Sequence, residues 1–284
     1  MNARFKKIRE PIRRLTPRVM RNWLRQPKRS IGYLADRLDY LWHGPSEVGV
    51  RSDWRPRCHP ASRNHFSVFA TDPAQAAELN TFIGYCCPGM QFLDVGAHYG
   101  LFSLAAIRFG GPTARAVAVE PSPKAGAVLR QNLVLNNVTA QVEIIEAAVG
   151  AANGTLPVLT TGPAGSDYFV SAPLNRTDTI RTPQRSLNTI LRETDLRPTH
   201  IKLDIEGFES DALSGGAESL RKFHPILFLE LHGAYLKSRG HDPRDVIRQL
   251  QECGYTRFEE QGQLLREEDF IACNFECRMT CLAS

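Results

Sequence analysis

Residues 91–100, QFLDVGAHYG, constrain the fold of this chain more than any other stretch. Phe92, Leu93 and Val95 form a short apolar run closed by Gly96 and Gly100. The run is too short for a helix, so it predicts a buried strand, a tight turn and a helix from about Leu101. Glycine at both ends of the turn lets the backbone reverse sharply and leaves bare main chain for a ligand to lie against. The first turn of the following helix adds N–H groups with no partner inside the helix.

Asp94 narrows the ligand. A dinucleotide site carries G-x-G-x-x-G, with the pyrophosphate on the helix N-terminus. Here the spacing is G-x-x-x-G, and a carboxylate stands before the first glycine. That carboxylate would repel a pyrophosphate. It suits a ligand with an ammonium group, held through water or through the turn, and S-adenosylmethionine has an ammonium, a sulfonium and a ribose. An ordinary turn beside a surface Asp competes with this reading until the next strand is considered. Residues 116–120, AVAVE, end in Glu120, 26 positions after Asp94. An acidic residue at the end of the second strand, roughly 20 residues on, is where ribose hydroxyls are held. Pro121 then stops the strand.

Further along stand EAAVG at 146–150, KLDIEGFE at 202–209 and LELH at 229–232. With DVGAHYG and VEPSP before them, these segments resemble, in order, the FkbM family of S-adenosylmethionine-dependent methyltransferases. The likeness runs over roughly residues 65–280, and KLDIEGFE is its most specific piece. It implies the class I methyltransferase fold: a Rossmann-like α/β domain with a seven-stranded, mostly parallel sheet and helices on both faces. It also implies O-methylation of sugars and natural products. The alternation of strand and helix patterns supports the same class independently. Strands are expected at 91–95, 116–120, 142–148, 200–204, 225–231, 254–259 and 271–279. Helices are expected near 73–84, 100–109, 122–136, 209–222 and 242–253. A long insertion, 150–198, separates the third and fourth of these strands and holds a short strand near 155–160. A stretch that long without structure is unusual unless it is functional.

Cofactor ligands should gather at the carboxyl ends of the strands. Asp94, Gly96, His98 and Gly100 are expected at the amino-acid part of the cofactor and Glu120 at the ribose. Glu146 and the Ala147 N–H are expected at the adenine, although Glu146 reads equally well as a solvated strand end. On the acceptor side, Lys202 and Asp204 share one face of their strand, and Glu230 and His232 share one face of the next. A lysine so deep in a core strand needs a carboxylate partner. Glu209 reads as a helix-start acid that favours the positive end of its helix. Two activations of an acceptor hydroxyl fit these residues. His232 can take the proton while a carboxylate orients it. Alternatively Asp204 and Glu230, with Glu206, can hold Mg²⁺. The metal-free route is favoured, because Lys202 opposes a cation.

Charge separates the chain into two parts. Residues 1–30 hold eleven Lys or Arg and one acid, a net +10. With +5 overall, the remainder carries −5, so the basic character belongs to the arm and not to the catalytic domain. The expected division is a basic N-terminal extension and linker, 1–60, and a methyltransferase domain, 61–284. The arm reads as a solvated tail or a peripheral contact with an anionic membrane. Nucleic acid is not expected, because LDIEG stands where base-methylating enzymes of this fold carry an Asn/Asp-Pro-Pro-aromatic loop. The expected partner is a small acceptor, a sugar or glycoside. No apolar run is long enough to span a membrane, and the N-terminus is too charged for a secretory signal. Seven cysteines, two of them adjacent at 86 and 87, argue against a disulfide framework and for a reducing, cytoplasmic setting. Cys273, Cys277 and Cys281 read as small buried side chains of a closing strand rather than as a zinc site.

Overall fold

The structure, a computed structural model, describes residues 40–159, 179–266, 269–270 and 276–284. The basic arm, most of the polar loop after residue 159 and Cys273 lie outside them. A sheet of eight strands forms the centre, in the order β12-β11-β13-β10-β9-β3-β4-β5. These strands are β3 (Gln91–Val95), β4 (Arg115–Val119), β5 (Val142–Ile145), β9 (His200–Leu203), β10 (Ile226–His232), β11 (Tyr255–Glu260), β12 (Gln263–Leu264) and β13 (Glu276–Ala283). Strands β5, β4, β3, β9 and β10 are mutually parallel, and β13 runs antiparallel between β10 and β11. Seven of the strands are the expected ones. The eighth, β12, is a two-residue return of the chain onto the edge of β11, where Glu259 pairs with Leu264.

Side-chain alternation sorts the core into two halves. Odd-numbered residues such as Leu93, Val117, Leu203 and Leu229 face one way. They pack against α5 (Leu187–Thr194), α6 (Glu209–Phe223), α7 (Gly233–Ser238) and α8 (Pro243–Glu252). Even-numbered residues such as Phe92, Ala116, Ala118 and Phe228 meet α1 (Arg63–Thr71), α2 (Pro73–Tyr85), α3 (Leu101–Gly110) and α4 (Pro123–Leu135). Phe82 of α2 is fully buried against Phe92, Phe102 and Phe228, and such a ring contributes about 1.5–3 kcal/mol by burial alone. Several helix starts follow from local chemistry. Asp72 accepts the Ala74 and Gln75 N–H groups ahead of Pro73, and Ser122 accepts that of Ala125 ahead of α4.

Three expectations need correction. The end of the expected extension and linker, from 43 to 60, is folded: β1 (Ser46–Glu47) pairs with β2 (Arg57–Cys58), and Val48, Val50, Trp54 and Cys58 are buried in the even-face core. Its Pro, Arg and Ser content hid apolar residues too widely spaced to show a period. The expected strand 142–148 stops at Ile145, and Ala148–Val149 becomes β6 of a separate three-stranded sheet. In that sheet β8 (Thr179–Arg185) lies between β6 and β7 (Gly154–Leu159), so most of the described part of the insertion is ordered. Helix α5 also falls in the insertion. Ser186 caps it, and Leu187, Ile190 and Leu191 form its buried stripe at helical spacing. Cys277 and Cys281 are buried in the odd-face core, as expected of small hydrophobes.

Candidate active site

Strand order reverses between β3 and β9, and the crevice beyond their carboxyl ends is where an open sheet of this kind binds ligands. The turn after β3 is stitched to the end of β4. Gly96 and Ala97 donate to the Val119 carbonyl, and the His98 N–H donates to Glu120 Oε2 at 2.7 Å. Glu120 Oε1 accepts the Ser122 N–H at 2.7 Å. A carboxylate offers about four acceptor positions, so bracing two loops is compatible with also accepting a ribose hydroxyl. Asp94 is 1 % exposed and takes the Ser103 hydroxyl at 2.6 Å, which ties the strand to α3. Burial pushes its pKa up to about 6, with the Ser103 hydrogen bond and Lys202 pulling the other way. Its carboxylate thus braces the end of β3 against α3.

Gly96 and Gly100 both have φ of +84°, and Gly100 is the N-cap of α3. A Cβ on Gly96 would lie 1.9 Å from the carbonyl oxygen of Asp204, so the cofactor turn and the loop after β9 touch through bare backbone. The adenine expectations fare less well. Glu146 is half exposed and lies 3.3 Å from Arg130, which matches the solvated alternative. The Ala147 N–H is committed to the Ile145 carbonyl at 3.1 Å, in a tight turn where β5 ends, so it is not presented to a ligand.

The acceptor-side residues do converge. Because β9 and β10 are neighbours in register, Lys202, Asp204, Glu230 and His232 project from one face. Lys202 Nζ is 2.8 Å from Asp204 Oδ2 and 3.6 Å from Glu78 Oε1, and sits 4.6 Å over the Phe102 ring. Arg278 of β13 lies opposite Glu230 and reaches Glu230 Oε1 at 2.7 Å and Glu78 Oε2 at 3.1 Å. His232 Nδ1 is 2.8 Å from Glu209 Oε1, and Nε2 faces Glu206 Oε2 at 3.5 Å and Asp204 Oδ1 at 3.8 Å. Glu206 holds φ of +53°, an uncommon conformation for a residue with a side chain, and strain of this kind collects at functional sites. Glu209 is fully buried and also accepts the Gly207 N–H, so it orients His232 rather than merely favouring a helix end.

Electrostatics gives each group a protonation state. Burial disfavours the Lys202 ammonium, but Asp204, Glu78 and Glu230 outweigh it and raise its pKa. Burial raises the Asp204 carboxyl, but Lys202 and then His232 outweigh it and bring it down to about 2. Glu230 is pushed up to about 8 by burial and by the charge of Asp204, with which it shares a hydrogen bond. For His232 burial acts downward, but the Glu209 hydrogen bond and the charges of Asp204, Glu209 and Glu206 raise it to about 9. At neutral pH these carboxylates favour the imidazolium form of His232, with one or more of them facing each ring nitrogen.

This state has a consequence for stability. The folded pKa of His232 lies above the unfolded value of 6.5, so its contribution is full below that pH and is lost as pH rises through about 9. Glu230 carries the same sign between 4.5 and about 8. The unfolding free energy in urea should fall across this window, by on the order of 3 kcal/mol from His232 alone. His232→Gln should flatten the fall; an equal fall in the variant removes His232 from the argument.

Asp204, Glu230 and His232 each bring one ligand atom within 4.8 Å of the others. The set does not fit Mg²⁺. A fixed ammonium and a fixed guanidinium already sit against the two carboxylates, at 2.8 and 2.7 Å, and Mg²⁺ prefers an all-oxygen octahedron to an imidazole. The expectation that left Mg²⁺ open is therefore corrected.

Sequence reasoning did not place Glu78, His65 or Arg278 at this site. Glu78 of α2 and Arg278 of β13 reach it from far along the chain, and no local pattern marks either. His65 of α1 lies edge-on to His98, with ring centroids 4.6 Å apart.

Residues 94–257 match the model of the methyltransferase FkbM domain, more than half of the 284 residues. The chain belongs to the FkbM methyltransferase family. A solved FkbM methyltransferase from Methylobacillus flagellatus KT is 17 % identical, with a TM-score of 0.46, over 78 % of this chain and 54 % of that one. The precorrin-6y C5,15-methyltransferase from Geobacter metallireducens GS-15 is 15 % identical over 74 % of this chain and 87 % of that one, with a TM-score of 0.41. The ribosomal protein L11 methyltransferase of Pelobacter propionicus is 37 % identical over 81 residues, 28 % of this chain. The chain thus spans about a quarter of the length of that curated relative. The FkbM match begins at Asp94, so α1, α2 and His65 lie outside it. No helix among the described residues is long and apolar enough to cross a membrane.

Proposed function

We propose that this protein transfers a methyl group from S-adenosylmethionine to a hydroxyl oxygen of a sugar or glycoside. Family membership supports methyl transfer. The donor set fits the cofactor: the Asp94-braced turn for the amino-acid part and Glu120 for the ribose. When bound, the cofactor supplies an electrophilic methyl carbon on a sulfonium. The chain's own residues then hold an acceptor oxygen in line with that carbon. Such positioning supplies roughly 7–11 kcal/mol of the barrier by proximity.

The observation that carries the acceptor class is the lining beyond the turn. Asp204 and Glu206 are part-exposed carboxylates at the mouth of the crevice, backed by Lys202 and His232. Ionised carboxylates only accept hydrogen bonds, and a polyhydroxylated ligand is a dense array of donors. Labelled methyl transfer should therefore appear on a panel of glycosides, as alkali-stable ethers with the shift of one methyl group in the mass spectrum. Label found only on protein amines or nucleobases overturns the sugar assignment. The cofactor assignment is checked separately. Glu120→Ala should weaken S-adenosylmethionine binding by about 1–3 kcal/mol in calorimetry, the range for hydrogen bonds to a charged group. Unchanged affinity in both Glu120→Ala and Asp94→Ala removes these residues from the cofactor's site.

A further inference from the structure

Helix α1 precedes the FkbM match, yet it packs a side chain against the turn after β3. The His65 ring stands edge-on to His98 at 4.6 Å and to Tyr99 at 5.5 Å, and His98 lies flat on Tyr99 at 3.7 Å. Both imidazoles are half-buried, and neither ring makes a hydrogen bond to the described residues. Neither ring's nitrogens count among the buried atoms without a partner, so both rings stay open to solvent or to a ligand. They differ in origin. The His98 backbone is part of the turn after β3, at φ of +49° and bonded to Glu120, whereas His65 comes from α1 and packs against that turn.

We infer that His65 is the residue that takes the proton from the acceptor hydroxyl. The inference rests on the hydroxyl-methylating function proposed above. His232 Nδ1 is taken by Glu209, and its Nε2 faces the Glu206 and Asp204 carboxylates, which favour the protonated ring. His65 instead offers an open ring nitrogen. Burial holds its pKa down to about 4, with Asp204 acting upward and Lys202 downward, and His98 is held down to about 3 by burial and by His65. The charged or titratable neighbours of His65 are thus His98 and Tyr99 of the turn and Lys202 and Asp204 of β9 and its exit. A neutral imidazole has the lone pair the step needs, and Asp204 steadies the imidazolium once it forms. As the acceptor oxygen bonds to the methyl carbon, the carbon–sulfur bond breaks and its electron pair stays on sulfur. The hydroxyl proton moves to His65 and then to solvent.

The test uses the full chain, with His65→Ala and the bulkier His65→Gln to control for packing. Calorimetry with S-adenosylhomocysteine should give wild-type affinity in both variants, while kcat on the best glycoside falls by roughly 10²–10⁴ with little change in KM. Added imidazole should restore part of the rate to His65→Ala. Ring nitrogen NMR at neutral pH should show His65 neutral and His232 protonated, a result that needs no acceptor. If the wild type methylates no glycoside, the sugar assignment fails, and the NMR spectrum still decides whether His65 can accept a proton. Lost S-adenosylhomocysteine affinity, an unchanged kcat, absence of imidazole rescue or a protonated His65 each overturns the inference.

Discussion

Gly96→Ala should be the most damaging single-methyl change in the protein. Two independent terms act at this position. The backbone sits at φ of +84°, where a Cβ costs roughly 1–2 kcal/mol. The added carbon would also lie 1.9 Å from the Asp204 carbonyl oxygen, and because that obstacle is backbone it cannot swing aside as a side chain would. Overpacking of this kind costs about 1–3 kcal/mol, so a loss of roughly 2–5 kcal/mol is expected in urea unfolding. Relief by moving the loop after β9 would displace Asp204 and Glu206, and the variant should lose cofactor affinity together with stability. An unfolding midpoint equal to that of the wild type would refute the close approach of the two loops.

Lys202→Met should be the most damaging change of charge. The methionine fills a similar volume, so packing is largely kept, but three carboxyl groups lose their common cation. Lys202 is 4 % exposed, with Asp204 at 2.8 Å and Glu78 at 3.6 Å. Removing one partner of a buried ion pair costs about 3–5 kcal/mol, because the remaining charge stays desolvated. The pH behaviour should change as well. With Lys202 present, the Asp204 folded pKa of about 2 lies below the unfolded 3.8; its stabilisation holds above that value and is lost as pH falls toward 2. In Lys202→Met the largest cause of the depression is gone and only His232 and the Glu230 hydrogen bond still act downward, so this acid-side dependence should shrink. Lys202→Met/Asp204→Asn should recover part of the loss, since the second change removes the stranded charge. Full wild-type stability in Lys202→Met, or no recovery in the double variant, would mean that the carboxylates find other partners.

The turn and strand ends of the proposed cofactor half were legible because their determinants are local. Strand, glycine turn, helix and the following acidic strand end occupy one short segment, and their spacing is read directly in the residues from Gln91 to Glu120. The period-two pattern likewise put Lys202 with Asp204 and Glu230 with His232 on shared faces, and the neighbouring strands then brought the four together. Glu209 was visible but under-read, since nothing in its neighbourhood announces an imidazole that arrives from the next strand.

The sequence by itself determined the class of the fold, the family and the strand ends at which the chemistry gathers. Hydrophobic periodicity, turn residues and strand-end acids are short-range signals, and each is set by backbone geometry within a few residues. Only the tertiary structure decided what the site is made of beyond them. It brought Glu78 and His65 from the helices before the cofactor turn and Arg278 from the last strand. It also set His232 among Glu209, Glu206 and Asp204, which favour its protonated form. The physical reason is that protonation and pairing depend on distance and burial across the sheet, and those are properties of the packed chain rather than of any stretch of it.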